Sequence, residues 1–274
     1  MSVSQSTKAE KFDALHAGPG AFVVANVFDA GSARIVSGLG FEAVATSSGG
    51  FAGTIGRRDG LISRDEAIEH ARVVVAATDL PVSADLENGF GDAPEAVAET
   101  VRRAAEAGLV GCTSAGATKD KAQPIYPFDA AVERIAAGVE VMNALDFDFK
   151  LTGRCENFLR GNPDLDDTIR RLQAYEAAGA KVLMAPGLPD LDAVRAVCDA
   201  VSKPFNFMVG IPGKSFTFAG LEEAGVRRIS LATSLYRAAI SAMIDAAKEV
   251  RDEGTFGFVD TSIPTPELAA FMKV

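Results

Sequence analysis

The sequence predicts an α/β fold, a (β/α)8 TIM barrel occupying residues 1–274 as a single domain, and two observations carry that reading. Short β-branched or apolar runs alternate eight times with amphipathic helical stretches, the pattern of parallel strands covered by helices. A helix stop that feeds directly into a strand recurs at Gly38-Leu39-Gly40-Phe41, Ala107-Gly108-Leu109, Ala178-Gly179-Ala180 and Ala224-Gly225-Val226, as repeated strand-helix units require. Periodicity alone does not say whether a parallel sheet closes, so a doubly wound open sheet is the alternative.

Taken in order, residues 21–27 read as the first strand and 29–39 as its helix. The second strand is expected at 41–46, followed by a long loop over 47–62 that carries Gly49, Gly50, Gly53, Gly56, Gly60 and Asp59. Ser63-Arg64-Asp65-Glu66 is a capping box for a helix whose Ile68, Ala71 and Val75 share one face. A third strand at 81–86 leads to a helix at 93–107, with Asp92 and Glu95 as its capping pair, Pro94 in its first turn and Gly108 as its stop. Strands four and five are expected at 109–113 and 147–152, separated by a loop at 114–124 and a helix ending near 143. Asp164 and Asp167 open the next helix. Strands six, seven and eight follow at 181–185, 205–209 and 228–232, interleaved with helices at 191–201 and 216–224, and a long helix runs to about 251. Residues 255–274 form a C-terminal extension whose Phe256, Phe258, Phe271 and Met272 suggest docking onto the barrel or onto a neighbouring subunit.

Charge and cysteine content narrow the function classes. With 27 basic and 37 acidic residues the formal charge is −10, which argues against a general nucleic-acid or anionic-membrane surface. No run approaches the ~20 apolar residues of a membrane span, and residues 1–18 lack the apolar core of a signal peptide. Cys112, Cys155 and Cys198 are widely spaced without a CxxC pair, which suggests neither a disulfide framework nor a zinc ribbon and fits a reduced, cytoplasmic setting. Cys112 and Cys155 read as small core hydrophobes, and His16 and His70 as surface residues.

The chemistry concentrates after the third strand, in Ser83-Ala84-Asp85-Leu86-Glu87-Asn88-Gly89-Phe90-Gly91-Asp92. Residues two apart on a strand face the same way, so Asp85 and Glu87 present two carboxylates together. Like charges at a strand end repel unless a cation lies between them, and paired oxygens suit a hard ion such as Mg²⁺. The structural alternative is that both acids only support the next helix. In a barrel the active site gathers at the C-terminal strand ends, which collects Ser47, Ser48 and Asp59 with Asp85, Glu87, Arg154, Glu156, Asn157, Asn206, Ser234 and Arg237. Arg154 and Arg237 can each grip a carboxylate bidentately, which makes a small polyanionic substrate the expectation. Their structural alternatives are an ion pair from Arg154 to Glu156 and a surface charge at Arg237.

These residues resemble the isocitrate lyase / phosphoenolpyruvate mutase superfamily. The likeness rests on Ser47-Ser48-Gly49, Gly56-Arg57-Arg58-Asp59, the stretch from Asp85 to Gly91, Gly153-Arg154-x-Glu156 and Leu235-Tyr236-Arg237, which follow the family's order over residues 23–246. The resemblance implies a (β/α)8 barrel, Mg²⁺ as cofactor held near Asp85 and Glu87 with Asp59 close by, and substrate held by Ser47, Ser48, Gly49, Arg154, Asn206 and Arg237. Asp59 and Arg154 are the catalytic candidates on this reading. It further implies a homo-oligomer, dimer or tetramer, with C-terminal helices swapped between subunits, and cleavage or formation of a C–C or P–C bond beside a 2-oxo acid through an enolate. The chain departs from the family in having Glu87 for the usual aspartate, Ala115-Gly116 for a Glu-Asp pair, and a lid at 117–124 without cysteine or histidine. A Mg²⁺-dependent lyase acting on a small 2-hydroxy or 2-oxo carboxylic acid is therefore the expectation. Phosphoenolpyruvate or phosphonopyruvate mutase or hydrolase chemistry, and a carboxylate-binding protein without catalysis, are the alternatives.

Overall fold

The computed structural model describes residues 3–272. Eight strands pair in chain order, each parallel to the next, and the eighth returns to the first, so the sheet closes and the open-sheet alternative falls. They are β1 (Phe22–Val27), β2 (Ala43–Thr46), β3 (Val82–Asp85), β4 (Gly111–Ala115), β5 (Lys150–Arg154), β6 (Val182–Met184), β7 (Phe205–Met208) and β8 (Arg228–Ser230). Helices bridge successive strands on the outside, as a parallel sheet demands. Their starts follow the expected chemistry. Asp29 and Ser63 close reciprocal capping boxes, and Asp164 accepts from the Asp167 amide. Glycines at two of the recurrent stops, Gly108 and Gly179, take φ of 90° and 104°, left-handed values that a side chain would strain.

Four expectations need correction. Asp92 caps nothing: Pro94–Glu106 begins at Ala93 without a side-chain cap, and the Asp92 carboxylate instead accepts from the Tyr126 hydroxyl at 2.6 Å. The region 47–62 is not all loop, because Ser47 caps a short helix, Ser48–Thr54. Strands four and five lie about two residues later than the apolar runs suggested. Parallel register, Gly111 opposite Lys150 through Ala115 opposite Arg154, sets those bounds, while Leu109, Val110 and Phe149 are buried lead-ins. As a result Arg154 is the last strand residue, at the rim.

The fourth correction concerns the histidines, both of which are buried. His70 stacks flat on Phe51 at 4.0 Å and meets the Phe28 carbonyl at 2.9 Å. His16 belongs to a helix, Gln5–Ala17, that the sequence reading did not assign. That helix packs on the N-terminal ends of the strands, with Phe12 edge-on to Phe22 and Asp13 paired to Lys150 at 2.5 Å. It closes the floor of the barrel and leaves the C-terminal rim open.

The C-terminal extension docks on the barrel through Phe271, which lies against Gly38, and through the Met272 carbonyl, which accepts from Arg34. The preceding helix, Ser234–Lys248, buries none of its residues in this chain and exposes Met243 and Ile244.

Burial, with the nearby Arg228 charge second, pushes the His16 imidazole down to about 3. The unfolded chain binds that proton near pH 6.5, so between the two values the unfolded state holds more protons. Stability from this group is full above pH 6.5 and drains as the pH falls. Chemical denaturation should show a loss on the order of 2–3 kcal/mol from His16 between pH 7 and pH 4. His16→Leu should flatten that part of the profile; an unchanged slope would contradict the burial argument.

Candidate active site

β3 delivers Asp85 at the C-terminal rim, and the chain then turns through Glu87 with φ of 50°. That left-handed conformation is uncommon outside glycine, and here it aims a second carboxylate at the same opening. Asp85 and Glu87 both line a cavity of about 700 Å³ over the barrel mouth, with Ser47, Ser48, Asp59 and Arg154. Seven of the strand-end residues selected from the sequence therefore converge there, Glu156 being the seventh, with Gly49 beside them.

The contacts divide the two acids. Asp85 accepts from Ser48 Oγ at 2.7 Å, from Thr113 Oγ1 at 3.2 Å and from Arg154 Nη1 at 3.2 Å. Burial raises its pKa, but the Arg154 charge and the Ser48 hydrogen bond outweigh burial, and the net shift is downward. Asp85 is thus held ionised. Glu87 is shifted the other way, raised first by burial and further by Asp85 and Asp59, with Lys119 opposing. Its Oε1 is buried without a hydrogen-bond partner, while its Oε2 lies 3.6 Å from Lys119 Nζ.

Arg154 is bound on two sides. Its Nε lies 2.7 Å from Glu156 Oε1, an ion pair too bent to be a hydrogen bond, while Nη1 reaches Asp85. The structural alternative for Arg154, pairing with Glu156, and its site role therefore coexist. Glu156 is 1% exposed and also accepts from Arg160 Nε at 2.9 Å. Gly49 has a steric reason to lack a side chain, since a Cβ there would come within 2.8 Å of Thr233 Cγ2 and 3.1 Å of the Asp59 carboxylate.

Four expected residues lie elsewhere: Asn157, which donates to Asp167 Oδ2 at 2.9 Å, and Ser234, the first residue of the Ser234–Lys248 helix, do not line the cavity, and neither do Asn206 and Arg237. Asn206 is fully buried one layer below the mouth, donating to Ser230 Oγ at 2.9 Å and accepting from Arg228 Nε at 2.7 Å. Arg237 is exposed on the Ser234–Lys248 helix, 3.4 Å from the Gly210 carbonyl, and does not line the cavity. In place of a guanidinium from the eighth unit, the cavity has Lys119 from the lid and Arg160 from the segment after β5. Sequence reasoning did not select Arg160. The signal was its spacing of four from Glu156, which puts the two on one side of a helical turn.

The donor set fits Mg²⁺. It consists of carboxylate oxygens without a sulfur or imidazole ligand, and the orphaned Glu87 Oε1 is a buried acceptor that a cation would satisfy. Among the described residues no three His, Cys, Asp or Glu side chains form a ready cage. An ion that keeps waters and substrate oxygens in its shell suits such a sparse site.

Carboxylates and a guanidinium collected at the C-terminal rim are the equipment of a barrel enzyme. Sequence relatives narrow the class. Residues 12–251 match the profile described as phosphoenolpyruvate phosphomutase, and the chain belongs to that family, within the phosphoenolpyruvate mutase / isocitrate lyase superfamily. The 2-methylisocitrate lyase of Escherichia coli K12 is 30% identical over 85% of this chain and 80% of its own. The oxaloacetate decarboxylase of Chromohalobacter salexigens is 29% identical over 91% and 87%. The crystal structure of a Burkholderia cenocepacia J2315 protein, given only the class lyase/mutase, is 50% identical with a TM-score of 0.96, covering 98% of this chain and 97% of that one.

Removing Arg154 leaves Asp85 and Glu156 buried with one cationic partner fewer each. Arg154→Met should lower stability by about 3–5 kcal/mol, the usual cost of breaking a buried pair from one side, with a smaller loss for Arg154→Lys. Urea denaturation measures both, and equal midpoints for wild type and Arg154→Met would show that the pairing does not hold the mouth together.

Proposed function

We propose that the chain is a Mg²⁺-dependent carbon–carbon lyase that cleaves a small 2-hydroxy or 2-oxo carboxylic acid through an enolate. The observation that carries this reading is the unequal pair of acids at one opening. Asp85 is ionised against Arg154, and Glu87 carries a buried, unpartnered oxygen. Asp85 and Glu87, with Asp59 nearby, would hold Mg²⁺, which when bound supplies Lewis-acid stabilisation of negative charge on a substrate oxygen.

The chain's own groups account for the rest. Arg154 faces the opening with a fixed positive charge, placed to bind a substrate carboxylate and to stabilise charge developing on the enolate. Ser47, Ser48 and Gly49 line the same cavity and orient the substrate, and Arg160 offers a second carboxylate partner. With a 2-hydroxy acid, cleavage removes the hydroxyl proton, turns that carbon into the carbonyl of the released 2-oxo acid and leaves the C–C electron pair on the other fragment as an enolate of its carboxylate. With a 2-oxo acid such as oxaloacetate, loss of CO2 leaves the pair on the 2-oxo fragment, and in either case one enolate fragment awaits a proton. Lys119, between Glu87 and the Gly60 carbonyl, is placed to return a proton to that fragment. Both relatives near 30% identity break a carbon–carbon bond by name, which supports the lyase reading. The same proposal includes a cytoplasmic homo-oligomer that covers the apolar side chains left exposed by the Ser234–Lys248 helix and the segment after it.

A second reading is a carboxylate-binding protein without turnover, and one observation favours it. A Cβ at Gly116 would come within 2.8 Å of the hydroxyl of the buried Tyr175, so the acid expected there from the superfamily pattern would have to displace that ring. Screening 2-methylisocitrate, isocitrate and oxaloacetate for Mg²⁺-dependent pyruvate or glyoxylate release separates the two. On the lyase reading, Asp85→Ala abolishes turnover and metal dependence together, and Lys119→Met lowers kcat by roughly 10²–10⁴ with little change in KM, as loss of a proton donor should. Tight Mg²⁺-dependent oxalate binding without release of product from any of these acids would favour the binding reading. Turnover by Asp85→Ala at the wild-type rate would refute the lyase assignment.

A further inference from the structure

Barrel interiors of this type are usually layers of branched apolar side chains. Here the layer below the mouth holds Arg228, which starts on β8 and crosses to β5. Its Nε donates to Asn206 Oδ1 at 2.7 Å and its Nη2 to Thr152 Oγ1 at 2.9 Å. Both partners are neutral, Nη1 has no partner, and no carboxylate lies within ion-pair distance among the described residues. The residue is 3% exposed. Burial lowers its pKa to about 9, which leaves it charged at pH 7. A buried, uncompensated charge is among the costliest features a fold can carry.

Beside it lies a recess of about 60 Å³, lined by Arg228, Ser83, Asn206 and Ser230 and sharing Asp85 and Arg154 with the mouth cavity above. The recess is rich in donors. Ser230 Oγ accepts from Asn206 and so keeps its own proton free, and Ser83 makes no side-chain hydrogen bond among the described residues. Asp85 turns its oxygens to Ser48, Thr113 and Arg154, so its negative charge is already engaged. Water would satisfy the donors and leave the charge unbalanced. We infer that this recess is a binding site for a small monovalent anion, of halide or formate size, held by Arg228 Nη1 with the Ser83 and Ser230 hydroxyls as donors. It lies below the metal and substrate positions, shares Asp85 and Arg154 with them, and is entered through the same mouth. The volume admits one such ion and excludes a bulky organic anion.

Bromide tests this without any variant. Wild-type crystals grown in sodium bromide should give an anomalous bromine peak in the recess, within hydrogen-bond distance of Arg228 Nη1. In solution, at constant ionic strength, replacing sodium gluconate by sodium bromide should raise the melting midpoint by about 2–4 °C once bromide exceeds its Kd roughly tenfold. Arg228→Met should lose that increment. Added sodium formate should reduce the bromine peak if the site also takes a carboxylate and leave it intact if the site is halide-selective; either result is compatible with a small-anion site. Water alone in the recess of bromide-grown crystals, together with equal midpoints in bromide and gluconate, would overturn the proposal.

Discussion

The arrangement at the mouth depends on the buried Arg154 guanidinium lying between Asp85 and Glu156. A cation there keeps Asp85 ionised despite its burial, and together with Arg160 the same cation balances Glu156, which is almost wholly inaccessible. The ordering of charges then follows. Asp85 is engaged by Arg154, Ser48 and Thr113, and Glu87, which has no such partners apart from the lid lysine, is left with a free oxygen. One rim thus contains both a fixed positive charge and an unsatisfied negative one, the combination that a metal-chelating carboxylate substrate would use.

Much of the fold was legible because a parallel barrel repeats a single unit. Each helix stop feeding a strand, seen at Gly108 and Gly179, is a local backbone requirement and needs no tertiary knowledge. Closure needed coordinates, since the β8–β1 pairing joins residues some two hundred apart. The ends of β4 and β5 were misplaced because hydrophobicity marks burial whereas strand limits are set by pairing with neighbours. The helix Gln5–Ala17 was missed for a related reason. Its buried residues include Lys8 and His16, so its inward face does not read as apolar.

At the site, the rule that strand ends converge found Asp85, Glu87, Ser47, Ser48, Asp59 and Arg154. It could not set depth or direction. Asn206 sits inside β7, where the inward-pointing face places it below the mouth and against Arg228. Arg237 lies beyond β8 on a helix, and its position along that helix leaves it on the outside. The further cations that reach the cavity, Lys119, Lys121 and Arg160, come from a lid and a short helical turn after β5, segments without the periodicity that a sequence pattern can exploit.

The central claim is that Asp85 and Glu87 share a divalent cation beside Arg154. A crystal structure of the protein with Mg²⁺ and oxalate measures it most directly. The account predicts an ion bound on the Asp85 and Glu87 side of the mouth, directly or through water, with oxalate in contact with both the ion and Arg154. Oxalate seated away from Arg154, or Mg²⁺ bound without either acid in its shell or contacting its waters, would contradict it.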